Sequence, residues 1–533
     1  MQSLRESRDV APSRAIGAGD TATNSRWDGY DAAIVAIVAI ATVFVHPVHA
    51  MLIHPYWFDE SWVAVLTKAP FSRLPSLSAS APAGFVALLK LVPGTGLQRA
   101  RMVPLGFAAL SVVMAYVFAR SLSWASRAEA RLAAIAAGLL VMLVPLALQR
   151  NDLKQYTCDA FCALVLITIG AWAERDPQRS RLFWLAGAAV IAIPFSSTSA
   201  FVTVAMFGGL LASALFARNR QRVVEILVAG IVAAVGLGAY LGAVVMPTLN
   251  PKLKAYWAAQ YLSGSPVEVV RASWDRLSHA TTSLGMPVAA FILLFLAGIG
   301  VLVKLRAVAV AVALPLLWIE MAAMGRLHKY PYLDLRTSHF LLIASFVVVA
   351  IGAVGLLLAI ARIPRVFGSV APVVLAVVLG AVMAASFTSA FVHHVHKLSL
   401  PDENVREDTL AVARRGTPRD VVLVNYSARY GFSYYWPHAH VDFLSDTSGQ
   451  GFRPEVSGLH AIYARGRTDA DVLAAMRAAV ARWRAAPTGS RLLVVRTHVS
   501  ASEITAWHLA FDKLGVKPHR VVVDGDVLTV LSP

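Results

Sequence analysis

The sequence predicts an α-helical polytopic membrane protein that ends in an extracytoplasmic α/β domain. Hydrophobic residues make up 57% of its 533 positions and the mean hydropathy is +0.62, more apolar surface than a soluble core hides. About eleven stretches approach the roughly 20 apolar residues that cross a bilayer. From about residue 400 onward the composition becomes that of a soluble domain.

Residues 1–29 are polar and carry arginine, and the apolar run behind them lacks a small-residue cleavage site. A disordered cytoplasmic tail followed by an uncleaved first helix is therefore expected. The spans are expected near 31–53, 102–119, 132–149, 157–173, 182–196, 199–217, 223–246, 287–303, 307–324, 338–361 and 367–392. The stretch 182–217 is either one long helix or, because Pro194-Phe195-Ser196-Ser197-Thr198-Ser199 splits it, two short ones.

A net charge of +17 would suggest nucleic acid in a soluble chain. Here topology accounts for much of it, and no nucleic-acid partner is expected. Arg120, Arg127 and Arg131 share one short connection, Arg175, Arg179 and Arg181 the next alternate one. Arg218, Arg220 and Arg222, then Lys304 and Arg306, then Arg362 and Arg365 continue the series. Basic connections on one side place the N-terminus in the cytoplasm and the region after about 393 outside. Richness in Ala, Val and Arg suggests a bacterial source, so the expected location is the bacterial cytoplasmic (inner) membrane.

The expected division is a tail (1–29), a membrane domain (30–393) and an outer α/β domain (394–533). In the last, Val421–Val424 and Leu492–Val495 read as buried strands, Val521–Val523 and Val527–Val530 as a hairpin, and 469–486 as a helix. The first outward connection, about 54–101, carries apolar residues at helical spacing, as helices lying along the membrane surface do. Cys158 and Cys162, four apart on a membrane helix, read as small buried hydrophobes. The sequence shows no internal repeat, P-loop, glycine-rich nucleotide fingerprint or metal-type Cys/His spacing.

Polar chemistry gathers on the outward side. Asp59 and Glu60 lie in His54-Pro55-Tyr56-Trp57-Phe58-Asp59-Glu60-Ser61-Trp62, directly after the first apolar stretch. Carboxylates at that depth are costly unless partnered or used. Asp152, Lys154 and Tyr156 occupy the next outward loop, and His328, Lys329, Tyr330 and Arg336 the last. Together they form a candidate site. Arginine suits a lipid phosphate, and a carboxylate suffices to deprotonate an attacking hydroxyl. Each has a structural alternative: a first-turn helix acid for Asp59 and Glu60, a helix-end ion pair for Asp152 and Lys154, a snorkelling cation for Lys329. His54, His328 and His339 read as interfacial hydrogen-bonding residues, and Asp159 as the partner of a neighbouring cation or hydroxyl.

Four patches carry a family resemblance. They are Trp57-Phe58-Asp59-Glu60-Ser61-Trp62, Ser80-Ala81-Pro82-Ala83-Gly84-Phe85, Asp152-Leu153-Lys154-Gln155-Tyr156-Thr157-Cys158-Asp159, and Lys329-Tyr330-Pro331-Tyr332 with Arg336. In this order they resemble GT-C glycosyltransferases, in the branch of protein O-mannosyltransferases and bacterial aminoarabinose transferases. The resemblance covers most of 30–390 and implies a GT-C-like membrane domain. It implies a polyprenyl-phosphate sugar donor, an extracytoplasmic glycan, lipid or protein acceptor, and inverting transfer. Asp59 would be the base, with Lys329, Arg336 and Lys154 on the departing phosphate. Asp152 stands where the family more often has Glu. A divalent metal remains open. The alternatives are a lipid-linked sugar transporter or flippase and a non-catalytic assembly protein, although no paired half-sequences of a transporter are seen.

Overall fold

The computed structural model describes residues 27–78, 81–92, 98–144, 153–249, 251–362, 404–437, 439–446 and 450–532, with scattered helical positions between 374 and 392. Each of the first ten predicted stretches contains a helix. In order they are α1 (Gly29–Val45), then α4 (Met102–Ser121), α5 (Arg127–Leu143), α6 (Tyr156–Arg175), α7 (Arg179–Ala192), α8 (Ser199–Phe216), α9 (Arg220–Tyr240), α11 (Val288–Lys304), α12 (Val308–Arg326) and α13 (His339–Ala361). Between them come α2 (Phe58–Leu66) and α3 (Ala83–Lys90) in the first loop, and α10 (Pro266–Ser283) before α11. Among the described residues six helices are long and apolar enough to cross a membrane, or up to seven if the pair α10 and α11, bent by 91°, is one span. The difference from about eleven has local causes. His46-Pro47 interrupts the first stretch because proline supplies no N–H to continue a helix. The helices α5 and α7, at 17 and 14 residues, are short. Most of 367–392 lies outside the described residues. The break at 193–198 resolves 182–217 into two helices.

Small residues let the helices approach closely, as membrane bundles require. A Cβ on Gly209 of α8 would lie 2.1 Å from the Ala309 carbonyl oxygen of α12. Where α11 crosses α13, a Cβ on Gly352 would lie 2.1 Å from the Leu294 carbonyl oxygen. The bundle has two polar ends. At one, Asp31 is fully buried and bonded by Tyr116 (2.8 Å) and Arg120 (3.0 Å), with Arg131 alongside. At the other, Arg101 stands just before α4, about 30 Å away along a helix of twenty residues.

The C-terminal domain opens with α14 (Val405–Arg415). Strands β1 (Val421–Val424), β4 (Ala461–Tyr463), β5 (Leu492–Val495), β6 (Lys517–Val523) and β7 (Asp526–Ser532) form one sheet ordered β4-β1-β5-β7-β6. The first three are parallel and β7 runs antiparallel to β5 and β6. A separate antiparallel hairpin joins β2 (Val441–Ser445) to β3 (Phe452–Val456). Helices α15 (Ala428–Tyr435), α16 (Asp469–Arg484) and α17 (Ala501–Leu514) complete the domain. The all-apolar strands β1 and β5 are buried along their whole length, as parallel strands covered on both faces are.

One hydrophobic cluster runs from the first loop into this domain, taking in Tyr56, Trp62, Val65, Phe85, Tyr430, Phe432 and Tyr435. The seam is also hydrogen-bonded. Tyr56 N–H donates to the Tyr435 hydroxyl (2.8 Å), and Lys68 Nζ to the carbonyls of Ser433 (3.0 Å) and Trp436 (3.2 Å). Tyr430 and Tyr435 are buried, whereas Tyr426 keeps part of its surface exposed.

Candidate active site

Helix α2 begins at Phe58, so Asp59 and Glu60 lie in its first turn, where the helix dipole favours acids. They turn to different partners. Glu60 is buried and grips Arg101 with both oxygens, Oε1 receiving Nε at 2.7 Å and Oε2 receiving Nη2. It also accepts the N–H of Leu153 (2.8 Å) and of Trp57 (3.3 Å). Arg101 spends its other N–H groups on the carbonyls of Met51, His54 and Pro55 and lies over the Tyr56 ring. Glu60 was expected beside Asp59 as the second carboxylate of the catalytic pair. Its oxygens are instead saturated inside the loop, where it fastens the start of α2 to Arg101 and Leu153.

Asp59 remains partly exposed, and Arg336 Nη1 reaches its Oδ2 at 3.3 Å. Arg336 comes from the connection between α12 and α13, 277 residues further on. Asp334 Oδ1 accepts the N–H groups of both Arg336 and Thr337 at 3.1 Å, a local turn that sets the arginine's approach. The Arg336 side chain also touches the Tyr256 hydroxyl (3.4 Å) and lies 5.2 Å from the Trp257 ring centre. Burial works against its charge, but Tyr156, Tyr256 and Asp334 around it more than offset that, and the guanidinium stays above the usual arginine range. Arg276 braces the same loops by donating to the carbonyls of Gln260 (2.6 Å), Ala259 (2.9 Å), Tyr261 and Tyr332 (each 3.2 Å).

The other expected residues scatter around this pair. Tyr156 sits near Arg336 and Tyr330. Tyr330 donates to the Thr337 carbonyl (2.9 Å) and packs edge-on to Phe201; burial raises its phenol well above the usual range. Lys154 is buried with Nζ 3.9 Å from the Trp62 ring centre, a cation–π contact. Lys329 is exposed. His328 stands apart, stacked on Tyr261 and within 3.1 Å of Ser263 Oγ, as an interfacial hydrogen-bonding histidine would. Asp152 and Ser80 lie outside the described residues. Gly84 N–H donates to the Pro194 carbonyl (2.7 Å), seating the first loop on the break between α7 and α8. That break supplies Ser196 and Thr198, whose hydroxyls bond the buried Asp159. Hydroxyls, not a cation, are therefore its described partners.

Sequence reasoning missed Arg101, Arg276, Asp334, Tyr256 and Trp257. Arg101 carried a weak signal, since it stands just before a long apolar helix as Arg336 does. Among the described residues no group of three or more His, Cys, Asp or Glu side chains is placed to hold a metal ion. Chemically, the arrangement offers a carboxylate able to take a proton and a cation within reach of it that can hold an anionic group.

No protein-family model and no curated protein matches the sequence. Solved structures do. ArnT from Cupriavidus metallidurans, in the apo state, matches with a TM-score of 0.51 and 13% identity, covering 95% of this chain and 98% of that one. Archaeal oligosaccharyltransferase AglB from Archaeoglobus fulgidus, in complex with an inhibitory peptide and a dolichol-phosphate, matches with a TM-score of 0.51 and 12% identity. That match covers 76% of this chain, which spans 64% of the archaeal protein's length. A second structure of the Archaeoglobus fulgidus enzyme, with Zn and sulfate, gives the same score and identity over 61% of its length. The likeness is one of architecture, from the helical bundle to the strand-containing C-terminal domain: the chain has the GT-C fold of ArnT and AglB.

Proposed function

We propose that this chain is an inverting glycosyltransferase of the membrane. It moves a sugar from a polyprenyl-phosphate donor to a glycan, lipid or protein acceptor on the outer face of the bacterial cytoplasmic membrane. The observation that carries this reading is the meeting of Asp59 with Arg336 at the bundle end where the α/β domain docks. The archaeal neighbour's complex contains a dolichol-phosphate, a ligand of the proposed class.

In the reaction Asp59 takes the proton of the acceptor hydroxyl, whose oxygen forms a bond to the sugar's anomeric carbon from the face opposite the phosphate. The carbon–oxygen bond to the phosphate breaks, and its electron pair leaves with polyprenyl phosphate. Positive charge develops on the sugar and negative charge on the phosphate, so a fixed cation beside the leaving oxygen stabilises the transition state. Arg336 is that cation, and Lys329 and Lys154 are the further candidates.

The ion pair couples these two duties. Arg336 lies against the Asp59 carboxylate, so a phosphate that takes up the guanidinium leaves that carboxylate free to accept the hydroxyl proton. Glu60 acts through position, holding α2 so that Asp59 faces Arg336.

The test supplies purified protein with radiolabelled polyprenyl-phosphate sugar and an acceptor extract from cell envelopes. Asp59→Asn should lower transfer about 10²–10⁴-fold, the usual range for a lost general base, with unchanged thermal stability. Normal transfer by this variant would remove the proposed base. Movement of labelled lipid across proteoliposomes without any covalent product would favour a transporter instead.

A further inference from the structure

A second polar site faces the first loop from the outer domain. The strands β4, β1 and β5 run parallel, and the chain leaves their carboxyl ends at 464–467, 425–427 and 496–498. In open α/β sheets the crevice beyond those ends is where ligands bind, because loops from neighbouring strands converge there. Here they converge on a connected group. The Asn425 side chain donates to the Thr497 carbonyl (3.0 Å) and to Glu503 Oε1 (3.0 Å). Arg467 donates through Nη2 to Ser427 Oγ (2.7 Å), and its Nε lies 3.7 Å from Glu503 Oε2.

The group is incompletely satisfied. Glu503 is fully buried, yet its Oε2 has no hydrogen bond among the described residues, nor does Arg467 Nε. Buried polar atoms are seldom left so, and each needs a reason. His498 adds backbone strain at φ +50°, a conformation that costs a non-glycine residue and recurs at ligand sites. Its ring stacks on Phe58 at 5.0 Å between centres and lies 6.3 Å from Trp57. The Arg467 guanidinium sits 5.2 Å from the Phe58 ring centre and 5.7 Å from that of Tyr426. Phe58, Tyr426, Arg467 and His498 all retain exposed surface.

Planar apolar faces beside a guanidinium, a carboxylate, an amide and a hydroxyl match the chemistry of a sugar ring. The ring offers a C–H face for stacking and hydroxyls that both donate and accept. The position matters equally. Phe58 immediately precedes Asp59 in the first turn of α2, so the site borders the loop that carries the proposed base.

We propose that the carboxyl edge of the outer domain's parallel strands, with Tyr426, Ser427, Arg467, His498 and Glu503, binds a sugar residue of the acceptor. It presents that sugar to the first loop. This inference rests on the glycosyltransferase reading and names the acceptor class as carbohydrate-bearing.

The test is saturation-transfer NMR of the full chain in lipid nanodiscs against a panel of methyl glycosides of hexoses, aminohexoses and uronic acids. At least one glycoside should give a signal with the wild type. Tyr426→Ala and Arg467→Ala should weaken its binding about tenfold or more, while Asp59→Asn should retain it. Arg467→Gln, which keeps a donor for Ser427, serves if the alanine variant misfolds. No signal from any glycoside, or signals indifferent to both Tyr426 and Arg467, overturns the proposal. The labelled-donor assay on the wild type is separate. Transfer without glycoside binding removes only this site, whereas glycoside binding without transfer removes only the enzymatic reading.

Discussion

Breaking the Glu60–Arg101 pair should cost the fold, not merely the chemistry. The structure gives the terms. Both side chains are 1% exposed, the contact is two-pronged, and Glu60 accepts two further backbone N–H groups. Glu60→Leu leaves the Arg101 charge buried beside three carbonyls with no carboxylate, a loss of about 3–5 kcal/mol for a broken buried pair. The melting transition should fall accordingly, by less per kcal/mol than the roughly 2–4 °C of a 150–250-residue domain because the unfolding entropy grows with size. Arg101→Met should do comparable harm, because it strands a buried carboxylate and frees the carbonyls of Met51, His54 and Pro55. The double variant is the informative one. Replacing both charges with apolar groups of similar volume removes the desolvation cost together with the attraction, so it should be more stable than the sum of the single losses by several kcal/mol. The assay is thermal unfolding in detergent followed by intrinsic fluorescence, with urea titration as a second measure. A Glu60→Leu variant within about 1 kcal/mol of wild type, or a double variant showing the plain sum, would refute the assignment of Glu60 to structure.

Two further outcomes test the seam between the first loop and the outer domain. Tyr435→Phe removes the acceptor of the buried Tyr56 N–H and should cost about 1–3 kcal/mol, seen as faster proteolysis of the outer domain; an unchanged rate would contradict the contact. Burial lowers the Lys68 ammonium to about 8. The unfolded chain, titrating near 10.5, then binds more protons between those values, so stability rises with pH across that window as the cost of burying the charge is relieved. Wild type should accordingly gain thermal stability relative to Lys68→Met from about pH 8 to 10.5; a flat difference would exclude it.

Much of this architecture is legible in the residues. Apolar length located ten helices, and the β-branched runs Val421–Val424 and Leu492–Val495 became the two central parallel strands. The hairpin around Asp524-Gly525 formed as its turn chemistry implied, though with longer arms, Lys517–Val523 and Asp526–Ser532, because charged and polar positions also pair on an exposed edge. The placement of charge in alternate connections brought Asp59 and Arg336 to notice, and they meet. What composition cannot encode is partner choice. Asp59 and Glu60 are chemically near-equivalent neighbours, and only the fold decides that one lies against Arg101 and the other against Arg336. Hydropathy likewise does not show that α10 runs nearly perpendicular to α11, since an amphipathic helix keeps apolar residues in either orientation.

The most direct test is a cryo-EM structure of the chain in nanodiscs with a polyprenyl phosphate. The phosphate is predicted within hydrogen-bond reach of the Arg336 guanidinium, drawn away from Asp59, with the carboxylate facing the opening left between them. Phosphate density elsewhere, with the Asp59–Arg336 contact unbroken, would contradict the account.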